Sequence, residues 1–193
     1  MSVKRFTKEL AAQGVAPDVI RRITAGFEDV TDSQRVRRQA FFMHAMRVLD
    51  EELDFRTRCE VRGACACSTG GWREKEMRRI ARELKGASLQ ERIAAVGKVK
   101  WMGDPVLHED GAISGGVGAE GGFDCPCPVF RGWKYEESVS PTYCLCCAGH
   151  FRHHYQIALG VKLRVKDVLS TILESRRKRP CRFVYEVAPD AEM

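Results

Sequence analysis

The nine cysteines constrain this chain more than any other feature of its sequence. Five of them fall in two short groups, Cys125-Pro126-Cys127 and Cys144-Leu145-Cys146-Cys147, and a looser group holds Cys59, Cys65 and Cys67. An odd number cannot pair completely as disulfides within one chain. Short-spaced cysteines on two loops can instead bring several sulfurs within about 4 Å of one another, as a thiolate metal site requires.

The remaining composition indicates a cytoplasmic protein. The N-terminal segment alternates charged and apolar residues and contains no hydrophobic core of signal-peptide length. The longest apolar run, residues 40–43, is broken by His44, so we expect no membrane-spanning helix. In the reducing cytoplasm structural disulfides are rare, and clustered cysteines there favour metal binding or catalysis.

The charge balance gives no strong indication of a macromolecular partner. Lys and Arg number 32 against 26 Asp and Glu, a net charge of +6. The densest basic run, residues 176–179, lies between two apolar segments, precedes Pro180 and has no interleaved aromatic residues. Such a run is typical of a solvated turn, so we do not expect a nucleic-acid partner.

Hydrophobic periodicity predicts an α+β protein. We expect a helical N-terminal lobe over residues 1–100, followed by an α+β domain over residues 101–193 with an antiparallel sheet and a cysteine-rich metal site. In the lobe, Thr31-Asp32 is the predicted N-cap of a long helix and Pro17 the first turn of a shorter one. Another helix is predicted over residues 72–84.

Further boundaries follow from local signals. Gly86 is expected to end the 72–84 helix, and Ser88 with Glu91 to form a capping box for the next helix. The first thiol group, from Cys59 to Cys67, then lies between the long helix and the 72–84 helix. An Asp-Gly turn at residues 110–111 predicts a hairpin.

The C-terminal part continues with a glycine-rich stretch, residues 115–122, which we interpret as a mobile loop. Residues 116–121 match a dinucleotide-binding glycine motif letter for letter, but no helix follows to receive a pyrophosphate, so we reject that function. A helix is expected to end at Gly160. Strands are predicted over residues 161–165 and 181–187, joined into a hairpin by the basic turn.

The spacing predicts a four-sulfur zinc site. The predicted ligands are the thiolates of Cys125, Cys127, Cys144 and Cys147. Cys146 and His150 are substitutes, because Cys146 adjoins a ligand and His150 lies one helical turn after Cys147. A helix N-terminus at this point would also stabilise thiolate over thiol.

The alternative for any cysteine is to fill the core as a small apolar side chain. We prefer that interpretation for Cys181, which alternates inward on its predicted strand. Three roles remain possible for Cys59, Cys65 and Cys67: they could complete a cluster, form a second site or act as redox-active thiols.

Two other chemistries remain open. The sixteen residues between Cys127 and Cys144 resemble the gap between paired cysteines in the iron–sulfur catalytic chain of ferredoxin–thioredoxin reductase, although the last paired-cysteine motif of that family is absent. This favours an iron–sulfur or dithiol redox enzyme as the alternative function. The other is hydrolysis of a small amide-like substrate by metal-bound water.

The last fifty residues resemble a diverse bacterial and archaeal group that includes the vinyl-reductase-type ligand-binding domains and the L-2-amino-thiazoline-4-carboxylate hydrolase-like proteins. The matching segments are residues 146–151, 159–160, 168–175 and 181–183. The turn differs, since residues 176–180 replace the usual Gly-Asp. The resemblance implies an α+β domain with a pocket for a small, partly apolar molecule and, in some members, a cysteine-bound metal. It supplies no catalytic set that maps onto this chain.

Overall fold

The computed structural model describes residues 2–67, 69–118 and 123–188. Within these ranges the chain forms seven α-helices, one 3-10 helix and one four-stranded antiparallel sheet, so the predicted α+β class is confirmed. The helices are α1 (Val3–Ala12), α2 (Pro17–Thr24), α3 (Arg35–Glu52), α4 (Phe55–Ala64), α5 (Gly71–Glu83), α6 (Leu89–Gly97) and α7 (Leu145–Leu159), with the 3-10 helix at Pro141–Cys144. The strands are β1 (Val106–Leu107), β2 (Ile113–Val117), β3 (Leu163–Ser170) and β4 (Cys181–Val187).

Helix boundaries that depend on local sequence agree with the predictions. Pro17 is the first residue of α2, and Gly86 lies just beyond α5 with φ of +86°. Ser88 and Glu91 form both hydrogen bonds of the capping box at the start of α6. These signals are local because the cap and the amide that it satisfies lie within three residues of each other.

The predicted N-cap of the long helix is wrong. Helix α3 begins at Arg35, after Gln34, and Thr31 donates its backbone N–H to Gln34 Oε1 at 2.9 Å. Asp32 Oδ1 instead accepts a hydrogen bond from the backbone N–H of Val3 at 3.1 Å. Asp32 therefore satisfies a backbone N–H in the first turn of α1. This contact joins two segments that are far apart in sequence.

Helix α4 occupies the segment that contains Cys59 and that the sequence predictions left between two helices. Asp54 caps it, because Asp54 Oδ1 accepts from the Thr57 backbone N–H at 2.9 Å. Its inner face carries Val61 and the fully buried Arg62. A buried cation on the core side weakens the apolar periodicity by which a helix is normally predicted.

The sheet has the strand order β1-β2-β4-β3, with every pair antiparallel. The predicted hairpin around the Asp-Gly turn is confirmed as β1 and β2, and Gly111 in the turn has φ of +80°. The hairpin across the basic turn is confirmed as β3 and β4. Strand β3 is longer than predicted, since it continues through two register shifts to Ser170.

The glycine-rich stretch begins inside the sheet, so its interpretation as a loop is wrong at that end. Gly115 and Gly116 belong to β2, which pairs with β4. A Cβ on Gly116 would lie 1.9 Å from the Cys181 carbonyl oxygen, and one on Gly115 would lie 2.4 Å from Tyr155 Oη. Glycine is required here by close packing. Residues 119–122, which include the second half of the rejected dinucleotide motif, lie outside the described residues.

Helix α7 packs against α4, α5, α6 and the sheet. It approaches α4 closely, because a Cβ on Gly149 would lie only 2.7 Å from Gly63 Cα. The buried apolar cluster is continuous between the two predicted domains: the rings of Phe42 and Tyr143 lie 5.6 Å apart. The division of the chain near residue 101 stays a prediction. In the described ranges no helix is both long and apolar enough to cross a membrane.

Candidate metal centre

Cysteines from separate segments converge at the start of α7. The 3-10 helix that ends at Cys144 leads directly into α7, so Cys146 and Cys147 stand in its first turn. The loop holding Cys125 and Cys127 also reaches this point, since Cys125 interacts electrostatically with Cys127, Cys144 and Cys146. The five predicted sulfur ligands are therefore neighbours, although Cys127 and Cys144 are far apart in sequence.

Two thiol pairs in this cluster share hydrogen bonds. Cys146 pairs with Cys147, and Cys144 pairs with Cys181 at the start of β4. The Cys181 sulfur also accepts the backbone N–H of Ile172 at 3.4 Å. Cys181 is buried and inward-facing, as the core interpretation expects, but it also contacts a predicted ligand. In the sequence, the alternation along the predicted strand places Cys181 inward. It cannot show whether the thiol fills the core or contacts the cysteine cluster.

The 125–127 loop is held by two tyrosines. The backbone N–H of Cys125 donates to Tyr135 Oη at 3.2 Å, and Cys127 Sγ lies 3.1 Å from Tyr143 Oη. Burial raises the pKa of the Cys125 thiol to about 12, with nearby Cys127 and Cys181 adding to the shift. Cys125 is therefore a neutral thiol at neutral pH.

A fully buried arginine lies beside the cluster. Arg62 Nη2 donates to the Tyr143 carbonyl oxygen at 2.6 Å, and the guanidinium carbon lies 5.0 Å from the Tyr143 ring centroid and 5.4 Å from that of Phe6. Burial alone would lower the pKa of Arg62, but Cys146 and Cys65 leave it raised on balance. Arg62 therefore keeps a positive charge next to the thiols, a feature that the sequence did not indicate.

Cys146 is the thiol most disposed to ionise. A hydrogen bond from Cys147 lowers its pKa, and with the nearby Arg62 charge this outweighs burial and brings the pKa to about 6. The same hydrogen bond, together with burial, raises the pKa of Cys147 well above its usual value. When protonated, the Cys146 thiol has the Tyr143 carbonyl oxygen as an acceptor at 3.4 Å. The pair thus holds one proton between two sulfurs.

His150 is placed beside Cys67. Its Nδ1 lies 2.7 Å from the Cys67 carbonyl oxygen, and its ring centroid is 4.6 Å from that of His154. Burial lowers the pKa of His150 to about 4, so the imidazole is neutral at neutral pH. His153 Nε2 lies 3.7 Å from Glu74 Oε2. His150 does lie one helical turn after Cys147 in α7, as predicted. Its imidazole is oriented by the hydrogen bond to the Cys67 carbonyl oxygen.

The three remaining cysteines lie in different environments. Cys65 is buried at the end of α4 and interacts electrostatically with Arg62 and Cys146. Cys67 is exposed. Cys59 lies on α4 about one and a half turns before Cys65, against the C-terminal half of α7.

Within the described residues, no group of three or more His, Cys, Asp or Glu side chains is already arranged around a common metal position. Four of the thiols are instead arranged as two hydrogen-bonded pairs, Cys146 with Cys147 and Cys144 with Cys181. No family model, curated protein or solved structure matches the chain. The functional argument therefore depends on the chemistry of the cluster itself.

Proposed function

We propose that this chain is a cytoplasmic protein that binds one metal ion, with zinc favoured, through cysteine thiolates at the start of α7, and that it also binds a small molecule. The observation that carries the proposal is the convergence of the 125–127 loop and the 144–147 segment. The proposed ligands are Cys125, Cys127, Cys144 and Cys147, with Cys146 and His150 as substitutes. The resemblance to the vinyl-reductase-type domains supports the small-molecule part.

The donor set suits a soft divalent cation. Zinc prefers four tetrahedral ligands and takes thiolates readily, and thiolates select against magnesium and calcium. Binding would replace the hydrogen bonds within the Cys146–Cys147 and Cys144–Cys181 pairs by sulfur–metal bonds and would release the thiol protons. The paired thiols are thus a metal-free arrangement that can rearrange into a site.

The Arg62 charge supports the same proposal. Four thiolates around a divalent ion carry excess negative charge, and burying such a charge without a compensating cation is costly. The Arg62 guanidinium is fully buried and interacts electrostatically with Cys144 and Cys146. It would offset part of the excess charge within the protein.

The direct test is metal analysis of protein purified without oxygen. We expect a colourless protein with about one zinc ion per chain by elemental analysis. A brown protein with visible absorption would instead establish an iron–sulfur cluster. Protein without metal that takes up none from added zinc would contradict the proposal.

Ligand identity is tested by a pair of cysteine variants. We expect Cys125→Ser to lower both the zinc content and the melting temperature, because a hydroxyl is a poor replacement for a thiolate ligand. Cys67→Ser is the matched control, since Cys67 is exposed and outside the proposed set. Equal zinc content in both variants would contradict the assignment of Cys125.

One observation favours a second candidate, a dithiol redox enzyme. Adjacent Cys146 and Cys147 share a hydrogen bond, and the lowered pKa of Cys146 supplies the thiolate that thiol–disulfide exchange requires. If that function is correct, metal-free protein should reduce a small disulfide such as a pyridyl disulfide, and Cys146→Ser should abolish the rapid phase. A zinc-replete protein that shows no such phase favours the metal function.

A further inference from the structure

Two cysteines outside the proposed ligand set lie on the segment that follows α4. Cys65 is 1% exposed, whereas Cys67, two residues later, is exposed to solvent. Arg5 Nη2 holds this segment by donating to the carbonyl oxygens of Ala64 at 2.7 Å and Ala66 at 3.3 Å. These bonds satisfy acceptors that the end of the helix leaves open. They hold the segment with one thiol in the core and the other at the surface.

His150 on α7 contacts the outer end of this segment. Its Nδ1 lies 2.7 Å from the Cys67 carbonyl oxygen, which can only accept a hydrogen bond, so Nδ1 is the donor. The neutral imidazole therefore carries its lone pair on Nε2. Histidine binds zinc through such a nitrogen when its other N–H donates to a carbonyl oxygen. Cys67 and His150 together supply one sulfur and one nitrogen donor, both of which zinc accepts.

Cys65 lies at the inner end of the segment, beside the thiol cluster. The start of α4 lies beside the end of α7, and the helices cross where a Cβ on Gly149 would lie 2.7 Å from Gly63 Cα. Cys65 and Cys146 both lie beyond this crossing point and therefore at the same end of the helix pair. Burial raises the pKa of Cys65, the Arg62 charge opposes the shift, and Cys146 adds to it. The Cys65 thiol is thus close enough to the cluster to interact electrostatically with one of its members.

We propose that Cys67 and His150 form a surface site that captures a zinc ion, and that Cys65 then passes the ion to Cys146 at the metal centre. The inference deepens the metal part of the proposed function and rests on it. Two protein donors leave the other coordination positions to water, so the captured ion is held less firmly than by four thiolates and moves inward. The inference also gives a role to the Cys-x-Cys pair of residues 65–67, which the proposed ligand set does not use.

Each transfer is an exchange of ligands in which zinc stays divalent. The incoming thiol releases its proton to water as its sulfur binds the ion. The outgoing sulfur keeps the electron pair of the broken bond and is reprotonated, so no oxidant or reductant takes part. The fully buried Arg62 interacts electrostatically with both Cys65 and Cys146, and its positive charge favours the thiolate form at each inner step.

The competing route is direct entry through the 125–127 loop. Cys125 and Cys127 are half-buried, so they too are within reach of an ion that arrives from solvent. An ion that binds them first needs no help from Cys67. The two routes therefore differ in how the rate of zinc uptake responds to loss of the Cys67 thiol.

The test measures the rate of zinc uptake by the chelator-treated, full-length chain. Zinc is supplied as its complex with the indicator pyridylazoresorcinol, whose absorbance falls when the ion is removed. In Cys67→Ser we expect the uptake rate to fall by about tenfold, which corresponds to about 1.4 kcal/mol of activation free energy, with the final zinc content unchanged. An uptake rate equal to that of the unmodified chain would overturn the proposal. A lowered final content would also overturn it, since Cys67 would then be a permanent ligand.

The inner step is tested with two buried cysteines at opposite ends of the helix pair. Cys65→Ala should slow zinc uptake, whereas Cys59→Ala, the matched control, should leave the rate unchanged. Equal rates in these two variants would overturn the transfer through Cys65. No uptake by the unmodified chain would overturn the metal part of the proposed function and this inference with it. Uptake at one common rate by the unmodified chain and all three variants would overturn this inference alone.

Discussion

The two ends of the α4–α7 helix pair each place a cysteine near an arginine, yet the two thiols have opposite acidities. At one end Cys146 lies near Arg62 and has a pKa of about 6. At the other end Cys59 lies near Arg152, and burial raises its pKa to about 12. Both cysteines are almost inaccessible to solvent, so burial alone does not explain the difference.

The difference lies in the hydrogen bond and in the exposure of the cation. Cys146 accepts a hydrogen bond from Cys147, and Arg62 is fully buried. Arg152 has 21% of its side chain exposed and lies 3.5 Å from Glu60, so solvent and a carboxylate both screen its charge. A nearby cation stabilises a thiolate when the cation itself is desolvated and a hydrogen-bond donor also contacts the thiolate.

The largest expected effect is on thiol ionisation. In chelator-treated protein, the thiolate absorbance lost in Cys146→Ser should titrate with a midpoint near pH 6, whereas the absorbance lost in Cys59→Ser should appear only near pH 12. The lowered pKa of Cys146 means that this group adds stability as the pH rises from about 6 towards 9. The raised pKa of Cys59 has the opposite sign, with stability lost above about pH 9. Coincident midpoints would contradict the comparison.

The next effect is on stability. Arg62→Met should lower the free energy of unfolding by about 3 kcal/mol, because it removes the hydrogen bond to the buried Tyr143 carbonyl oxygen and the cation–π contacts. Urea denaturation measures this. The same variant should raise the pKa of Cys146.

Arg56→Met is the control at the other end of the pair. Arg56 is exposed, so the free energy of unfolding should change by less than about 0.5 kcal/mol. Equal losses in the two variants would show that burial of the cation does not distinguish the two ends.

A smaller effect is expected where the two helices meet. In Gly149→Ala the new methyl group would lie 2.7 Å from Gly63 Cα, so α4 and α7 must separate, at a cost of about 1–3 kcal/mol. Zinc content should fall as well, since α4 carries Arg62. The control is Gly97→Ala, whose methyl group would meet only Pro105 Cδ, at 3.9 Å; its stability should change by less than about 1 kcal/mol. Unchanged zinc content in Gly149→Ala would show that zinc binding does not depend on the distance between α4 and α7.

The elements that the sequence predicts correctly are those specified by neighbouring residues. The Ser88–Glu91 capping box, Pro17 at the start of α2 and the Asp-Gly hairpin each depend on a few consecutive positions. The N-cap at Asp32 fails because its partner, Val3, lies in another helix. Helix α4 is missed because Arg62 interrupts its apolar face.

The residues of the candidate site likewise fall into those that the sequence predicts and those that it does not. The repeated short spacing of Cys125, Cys127 and the 144–147 segment predicts a thiol cluster, because paired cysteines on loops have few structural uses. Cys181 and Arg62 carry no comparable signal. They reach the cluster through β4 and α4, whose positions depend on the close approaches at Gly116 and Gly149. The spacing of residues within any one segment does not predict tertiary packing of this kind.

The most direct test of the proposed metal centre is the zinc K-edge X-ray absorption spectrum of the zinc-loaded chain. Thiolate ligation predicts a first shell of four sulfurs at about 2.3 Å. Three sulfurs with one nitrogen at about 2.0 Å would place His150 in the set as a substitute ligand and would require its bond to Cys67 to break. A first shell of oxygen and nitrogen alone would contradict a thiolate metal centre at the start of α7.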